Sequence, residues 1–248
     1  MATAHQGVNG AGLAPEAAYW DERYRREGKR WGDGPSELAR LAVARLSFAA
    51  GRSFDLLDVG CGYGRDSLYL AAELGCRVLG IDPSPAAVSA ARRSRRGGLD
   101  VEFEVTDPEA LAAERGATPA VRRGSGDASD CGGFDVVFSS NVYQLLPPSR
   151  RRRFATAVGA LLRPGGLLFL STLSPRDAQH YAKGEPVAGE ERSWVEAGYL
   201  HFCTADELEA DFAGLELLDL EERSYDEPLA GGRVHHHTSW FLEARRPG

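Results

Sequence analysis

Residues Leu56 to Gly64 read Leu-Leu-Asp-Val-Gly-Cys-Gly-Tyr-Gly, and no other segment constrains the fold as much. An apolar strand runs into a glycine turn, and an amphipathic helix, Arg65 to Leu74, follows at once. Gly60, Cys61, Gly62 and Gly64 let the backbone turn tightly and let a ligand approach the main chain. A second strand, Cys76 to Ile81, ends in Asp82. A glycine loop followed about 20 residues later by a carboxylate for ribose hydroxyls is the layout of a nucleoside site on a doubly wound sheet. The dinucleotide fingerprint Gly-x-Gly-x-x-Gly is not met, because the spacing is Gly60-x-Gly62-x-Gly64 and Arg65 takes the third glycine's place. A second carboxylate, Asp58, lies two positions before the first glycine.

The flanking segments extend this α/β pattern. Pro15 to Arg26 reads as a first helix carrying Tyr19, Trp20 and Tyr24, and Trp31-Gly-Asp-Gly34 as a loop. Pro35 opens a second helix to Phe48. Strands are expected at Phe54–Val59, Arg77–Ile81, Val101–Val105, Phe134–Phe138 and Leu167–Thr172, with helices between them. That alternation predicts a parallel sheet covered on both faces. Thr204-Ala-Asp-Glu207 is a capping box before a helix to Phe212, and Leu215–Leu220 with His237–Ala244 form a last strand pair. The domain expectation is a disordered tail (1–13), an N-terminal helical lid (14–50) and a binding domain (51–248). Within that domain, 115–133 reads as a mobile loop and 175–203 as an insertion over the sheet edge or the site.

Composition narrows the function. At 248 residues the chain can bury one substantial core. No apolar run reaches the roughly 20 residues that span a bilayer, and the first residues lack a signal-peptide pattern. Cys61, Cys76, Cys131 and Cys203 have neither disulfide nor metal spacing, which fits a reducing cytoplasm. A net charge of −7 disfavours a nucleic-acid substrate.

The glycine motif with Asp58, Asp82, Asp107 after the third strand, Ser139-Ser140-Asn141 after the fourth, and the turn Leu162-Arg-Pro-Gly-Gly166 together resemble class I S-adenosylmethionine (SAM) methyltransferases. The resemblance covers Trp31 to Arg245. Tyr19-Trp20, Arg23-Tyr24, Trp31-Gly32 and Gly64-Arg65-Asp66-Ser67 look like the tellurite-resistance and thiopurine type, which implies small-molecule acceptors. The resemblance implies a Rossmann-like sheet in the order 3-2-1-4-5-7-6 with strand 7 antiparallel. It implies SAM as cofactor, S-adenosyl-L-homocysteine as product, and in-line displacement onto a small molecule. It also places Asp58 against the methionine amino group. The cofactor candidates are Asp58, Gly60, Cys61, Gly62, Arg65, Asp82, Pro83, Thr106, Asp107, Ser139, Asn141, Tyr24 and Trp31. The catalytic candidates are Asn141, Tyr143 and Tyr19.

Several of these residues have a plainer reading. Asp82 serves the ribose or caps the next helix, Asp107 the adenine amino group or a helix cap, and Asn141 the reacting groups or its own turn. Tyr19, Trp20, Tyr24 and Trp31 either shelter a sulfonium through cation–π contacts or pack the first helix onto the domain. His235 and His237 share one strand face, and no Cys or carboxylate stands at ligand spacing, so no metal is expected. Those histidines, His180 and His201 are candidate pocket bases, or His235 to His237 are an exposed strand end. Arg150 to Arg153 reads as a solvated helix face. Two rival functions share the same nucleoside site. One is attack at another sulfonium carbon, by aminocarboxypropyl transfer or ring closure of SAM, which releases methylthioadenosine. The other is a non-catalytic SAM sensor. The chain is expected to act as a monomer or homodimer, without nucleic-acid or membrane partners.

Overall fold

The computed structural model describes residues 15–29, 31–47, 53–117, 133–229 and 232–248. The expected tail, the centre of the expected loop at 118–132, and Cys131 lie outside them. Two helices come first, α1 (Pro15–Glu27) and α2 (Glu37–Leu46). There follow β1 (Asp55–Val59), α3 (Arg65–Leu74), β2 (Arg77–Asp82), α4 (Pro85–Ser94), β3 (Val101–Val105), α5 (Pro108–Ala117) and β4 (Phe134–Ser140). The second half holds α6 (Pro148–Leu161), β5 (Leu162–Leu173), the short strands β6 (Glu185–Pro186), β7 (Ser193–Val195) and β8 (Tyr199–His201), α7 (Ala205–Asp211), β9 (Glu216–Pro228) and β10 (Val234–Arg245).

The main sheet has seven strands in the order β3-β2-β1-β4-β5-β10-β9. The first five run parallel, and β10 is antiparallel to both β5 and β9. This is the strand order the motif pattern predicts, with the last strand in sequence inverted. Period-two alternation sends the strand residues to opposite faces. Leu56, Phe138 and Phe169 pack with Leu38 of α2 and Leu70 of α3. Leu57, Val137 and Leu168 pack with Phe154 and Val158 of α6 and Phe212. With both faces covered, the central strands β1 and β4 are buried along most of their length.

Boundaries differ where capping or long-range pairing decides them. Helix α2 starts after Ser36, whose Oγ accepts from the Ala39 N–H, two residues later than Pro35 suggests. The last strand pair extends past the expected Leu215–Leu220 and His237–Ala244. The polar run Glu221 to Glu227 has no apolar stripe of its own, and an antiparallel ladder reaching Pro228 and Val234 keeps it extended. The 175–203 segment folds as a separate three-stranded sheet, β6-β7-β8. No described helix is long and apolar enough to cross a membrane.

Candidate active site

The C-terminal ends of β1, β2 and β4 open onto a cavity of about 600 Å³, within the range of small-molecule sites. It lies where the strand order reverses between β1 and β4, the crevice in which open α/β sheets bind ligands. Helix α1 and the β7–β8 turn enclose it.

The glycine loop forms one end. Gly60 and Gly62 take left-handed φ of 75° and 55°. A Cβ on Gly62 would stand 2.6 Å from the Tyr24 Oη, so only hydrogen leaves the cradle open. The loop is tied down by N–H donors from Gly60 and Cys61 to the Ile81 carbonyl, at 2.8 and 3.0 Å. Asp82 accepts from the Gly62 N–H at 3.0 Å and from the Ser84 N–H at 2.9 Å. Its carboxylate therefore holds the loop and also faces the cavity, and burial raises its pKa to about 6. Asp58 is 2% exposed and accepts from the Ser67 Oγ at 2.5 Å. Burial, reinforced by the nearby charge of Asp66, raises its pKa to about 7.

Asp107 is a helix cap at the cavity's edge. Its Oδ1 caps α5 by accepting from the Ala110 N–H at 2.8 Å, and the residue lines the cavity. Arg150 also lines it, 3.7 Å from Asp107 and 3.4 Å from Glu109. The Arg150–Arg153 run is thus not a uniformly solvated face. Arg151 is buried and donates to the Leu146 carbonyl and to the Tyr199 Oη.

Asn141 sits at the end of β4 with φ 57°, a strained conformation for a residue with a side chain. It lines the cavity and donates to the Tyr225 Oη at 3.4 Å. Gln144 contributes a buried Oε1 that has no hydrogen-bond partner. Three sequence candidates do not line the cavity. Tyr143 turns into the core, packs against Phe154 and Phe212, and donates to Asp211 at 2.5 Å. A short 3₁₀ turn, Tyr143–Leu145, rotates it away from Asn141. Ser139 faces inward and donates to the Val59 carbonyl, while alternation brings Ser140 to the cavity instead. The Thr106 hydroxyl bonds only the adjacent Asp107 carbonyl. The other candidates, Asp58, Gly60, Cys61, Gly62, Arg65, Asp82, Pro83, Asp107, Asn141, Tyr19, Tyr24 and Trp31, all line it.

Helix α1 is anchored through a residue that the sequence analysis did not single out. Asp21 is 3% exposed and accepts from the Ser84 Oγ and the Ala86 N–H, at 2.7 and 2.8 Å, at the start of α4. This brings Tyr24 over Gly62 and Tyr19 against Gly198 of the β7–β8 turn.

A line of alternating charges starts at Arg65, directly after the glycine loop, and continues along the cavity wall. Arg65 pairs with Glu227 and donates to the Trp31 carbonyl. Glu227 lies 3.4 Å from His237 Nε2, Asp177 lies 3.5 Å from His237 Nδ1, and His180 Nδ1 is 2.9 Å from Asp177. Burial alone would lower the His237 pKa, but Asp177 and Glu227 outweigh it and raise it to about 9. His180, His235 and His237 line the cavity. His201 does not line it. It is buried between Ser193 and Glu207 within the insertion.

Known proteins agree with this geometry. The model of a methyltransferase domain matches residues 57–168. A ubiquinone biosynthesis O-methyltransferase from Cereibacter sphaeroides is 32% identical over 85% of this chain and 75% of its own length. One from Methylocella silvestris is 33% identical over 74% of this chain, which spans 66% of that relative's length. A solved structure described as the conversion of a disulfide bond into a thioacetal group during echinomycin biosynthesis superposes with a TM-score of 0.69. It is 26% identical over 93% of this chain and 91% of the other. TehB from Haemophilus influenzae shares the fold at a TM-score of 0.57, with 16% identity over 93% of this chain and 67% of its own. The chain belongs to the class I SAM-dependent methyltransferases.

Proposed function

We propose that this chain methylates an oxygen of a small, partly apolar molecule, with SAM as methyl donor. The observation that carries the reading is one cavity lined both by the glycine loop with its buried carboxylates and by aromatic and histidine side chains.

The cradle suits SAM on its own features. A Cβ on Gly62 would press on the Tyr24 Oη above it, two buried carboxylates border it, and Gln144, whose buried Oε1 has no hydrogen-bond partner, lines the same cavity. Asp82 would take the ribose hydroxyls, Asp107 the adenine amino group, and Asp58 with Asn141 the methionine end. When bound, SAM supplies an electrophilic methyl carbon, so the protein needs no nucleophile of its own. The chain's residues bind, orient and exclude water. Tyr24 and Trp20 present aromatic faces suited to a fixed cation, each contact worth about 0.5–2 kcal/mol. Anchored by Asp21, α1 acts as the lid that closes the cavity against the β7–β8 turn.

An oxygen acceptor is supported by the O-methyltransferase relatives and by histidines that line the same cavity. The net charge of −7 supports a free small molecule over a nucleic acid, and the chain is proposed to work as a monomer or homodimer in the cytoplasm. The test is incubation with SAM and a panel of phenols and other hydroxylated compounds, followed by mass spectrometry. Equal amounts of S-adenosylhomocysteine and a product 14 Da heavier (one CH₂) are expected. Methylthioadenosine would instead assign the rival chemistry at another sulfonium carbon. Tight SAM binding without turnover of any compound would leave a sensor.

A further inference from the structure

The acceptor wall carries a constellation that nucleoside binding does not explain. Asp177, His180 and His237 each offer one donor atom, and these atoms all lie within 4.8 Å of one another. They come from separate parts of the chain: Asp177 and His180 from the turn after β5, His237 from β10. We infer that Asp177, His180 and His237 form a binding site for a divalent transition-metal cation, open toward the acceptor cavity.

Four observations support the inference. The first is the donor set, two imidazoles and one carboxylate, which suits Zn²⁺, Co²⁺ or Fe²⁺ better than the oxygen-preferring Mg²⁺ and Ca²⁺. The second is spacing. Donors about 2.1 Å from a shared cation stand roughly 3 Å or slightly more apart. Here His180 Nδ1 is 2.9 Å and His237 Nδ1 3.5 Å from the two carboxylate oxygens of Asp177. Third, His237 is 7% exposed, and neither of its ring nitrogens makes a hydrogen bond. Its carboxylate neighbours, Asp177 and Glu227, stand at ion-pair distances of 3.5 and 3.4 Å without closing a hydrogen bond, so Nδ1 is available as a ligand. Fourth, the surroundings are built as metal sites are. The Nε2 of His237 points to Glu227 at 3.4 Å, and Glu227 is held in turn by Arg65. A carboxylate behind a ligating histidine fixes its tautomer and orientation. Asp177 is itself oriented by N–H donors from His180 and Thr238, at 2.9 and 3.0 Å.

His180 and His237 line the acceptor cavity, so the open side of a cation there faces an incoming oxygen. This part rests on the proposed oxygen acceptor. Metal binding itself does not, and the experiment separates the two.

Tag-free, full-length protein is stripped with chelator and titrated with Co²⁺ by visible absorption and with Zn²⁺ by calorimetry. One equivalent of each is expected to bind. His180→Ala and His237→Ala should each weaken binding at least ~10-fold, and Glu227→Gln about 10-fold through its hold on His237. His236→Ala should change nothing, because that side chain is exposed on the other face of β10 beside Asp226. If His237→Ala fails to fold, Asp177→Asn and His237→Gln provide the same comparison. Binding of S-adenosylhomocysteine is measured on the same preparations. Absence of Co²⁺ and Zn²⁺ binding, or binding that survives both histidine variants, overturns the metal site, and intact S-adenosylhomocysteine binding then leaves the proposed function standing. Loss of S-adenosylhomocysteine binding in the wild type would instead strike the proposed function, whatever the metal result.

Discussion

The two ends of the cavity are built in opposite ways. At the cradle, functional partners are close in sequence: Asp58 with Ser67, Gly62 with Asp82, Asp107 with Ala110. Asp58–Ser67 and Asp107–Ala110 each join a strand end to the helix that follows, and Gly62–Asp82 joins the ends of the neighbouring strands β1 and β2. Around the rest of the cavity wall the partners are distant: Arg65 meets Glu227, Asn141 meets Tyr225, and Tyr19 packs against Gly198. The cradle is thus a property of local βα units, whereas the wall exists only once β10, the insertion and α1 have docked. A shared cofactor can be served by the first design, and a changing acceptor by the second.

This contrast predicts that cradle substitutions act on cofactor affinity and wall substitutions act on turnover. The largest effect is expected for Gly62→Val. A branched residue at φ 55° costs about 1–3 kcal/mol, and its Cβ would press on the Tyr24 Oη. SAM binding should fall out of the range of calorimetric titration, and normal binding by the folded variant would disprove the cradle.

Asp82→Ala comes next. It removes the acceptor for the Gly62 and Ser84 N–H groups as well as the proposed ribose contact. Hydrogen bonds to a charged group are worth about 1.5–3 kcal/mol each, so SAM affinity should drop about 100-fold. An unchanged dissociation constant would remove Asp82 from the site.

Asp21→Ala tests the wall. It frees α1 from α4, so turnover should fall roughly tenfold while S-adenosylhomocysteine affinity changes less. Hydrogen exchange along α1 should quicken, and quicken less with S-adenosylhomocysteine present. Equal losses of affinity and turnover would mean that the two halves do not act separately.

The smallest effect is the pH dependence of SAM affinity. Burial raises Asp58 to about 7 and Asp82 to about 6, so the ligand-free fold binds protons there more tightly than the unfolded chain does. Ligand-free stability therefore declines as pH rises from about 4 to 7. Ligand groups that favour the charged carboxylates give affinity the opposite slope. From pH 7.5 to 6.5 it should weaken about fourfold, with proton release on binding visible in calorimetry across buffers. A flat profile would show that neither carboxylate meets the cofactor.

The sheet order and the cradle were legible in the sequence because each strand, glycine turn and acidic strand end is a short-range signal. Even there, the period-two rule had to be applied to a known strand end: Ser139 was chosen where Ser140 faces the cavity. Tyr143 was misplaced because a single 3₁₀ turn reverses its direction, and no residue pattern announces that turn. Asp21 looked like any charged residue on an exposed helix until α4 was found against it. The His235–His237 run showed no ligand spacing, because its companions Asp177 and His180 lie about 60 residues away.

By itself, then, the sequence determined a doubly wound sheet and a glycine loop with acidic strand ends at its switch point, since backbone sterics and strand periodicity act over a few residues. Only the tertiary structure decided that the cavity is closed by α1 and the insertion, that Arg65 is balanced by Glu227, and that Asp177, His180 and His237 converge. Those contacts join residues whose separation along the chain carries no signal. They form because burying the apolar face of β10 and the Asp21 carboxylate of α1 leaves each buried charge in need of a partner.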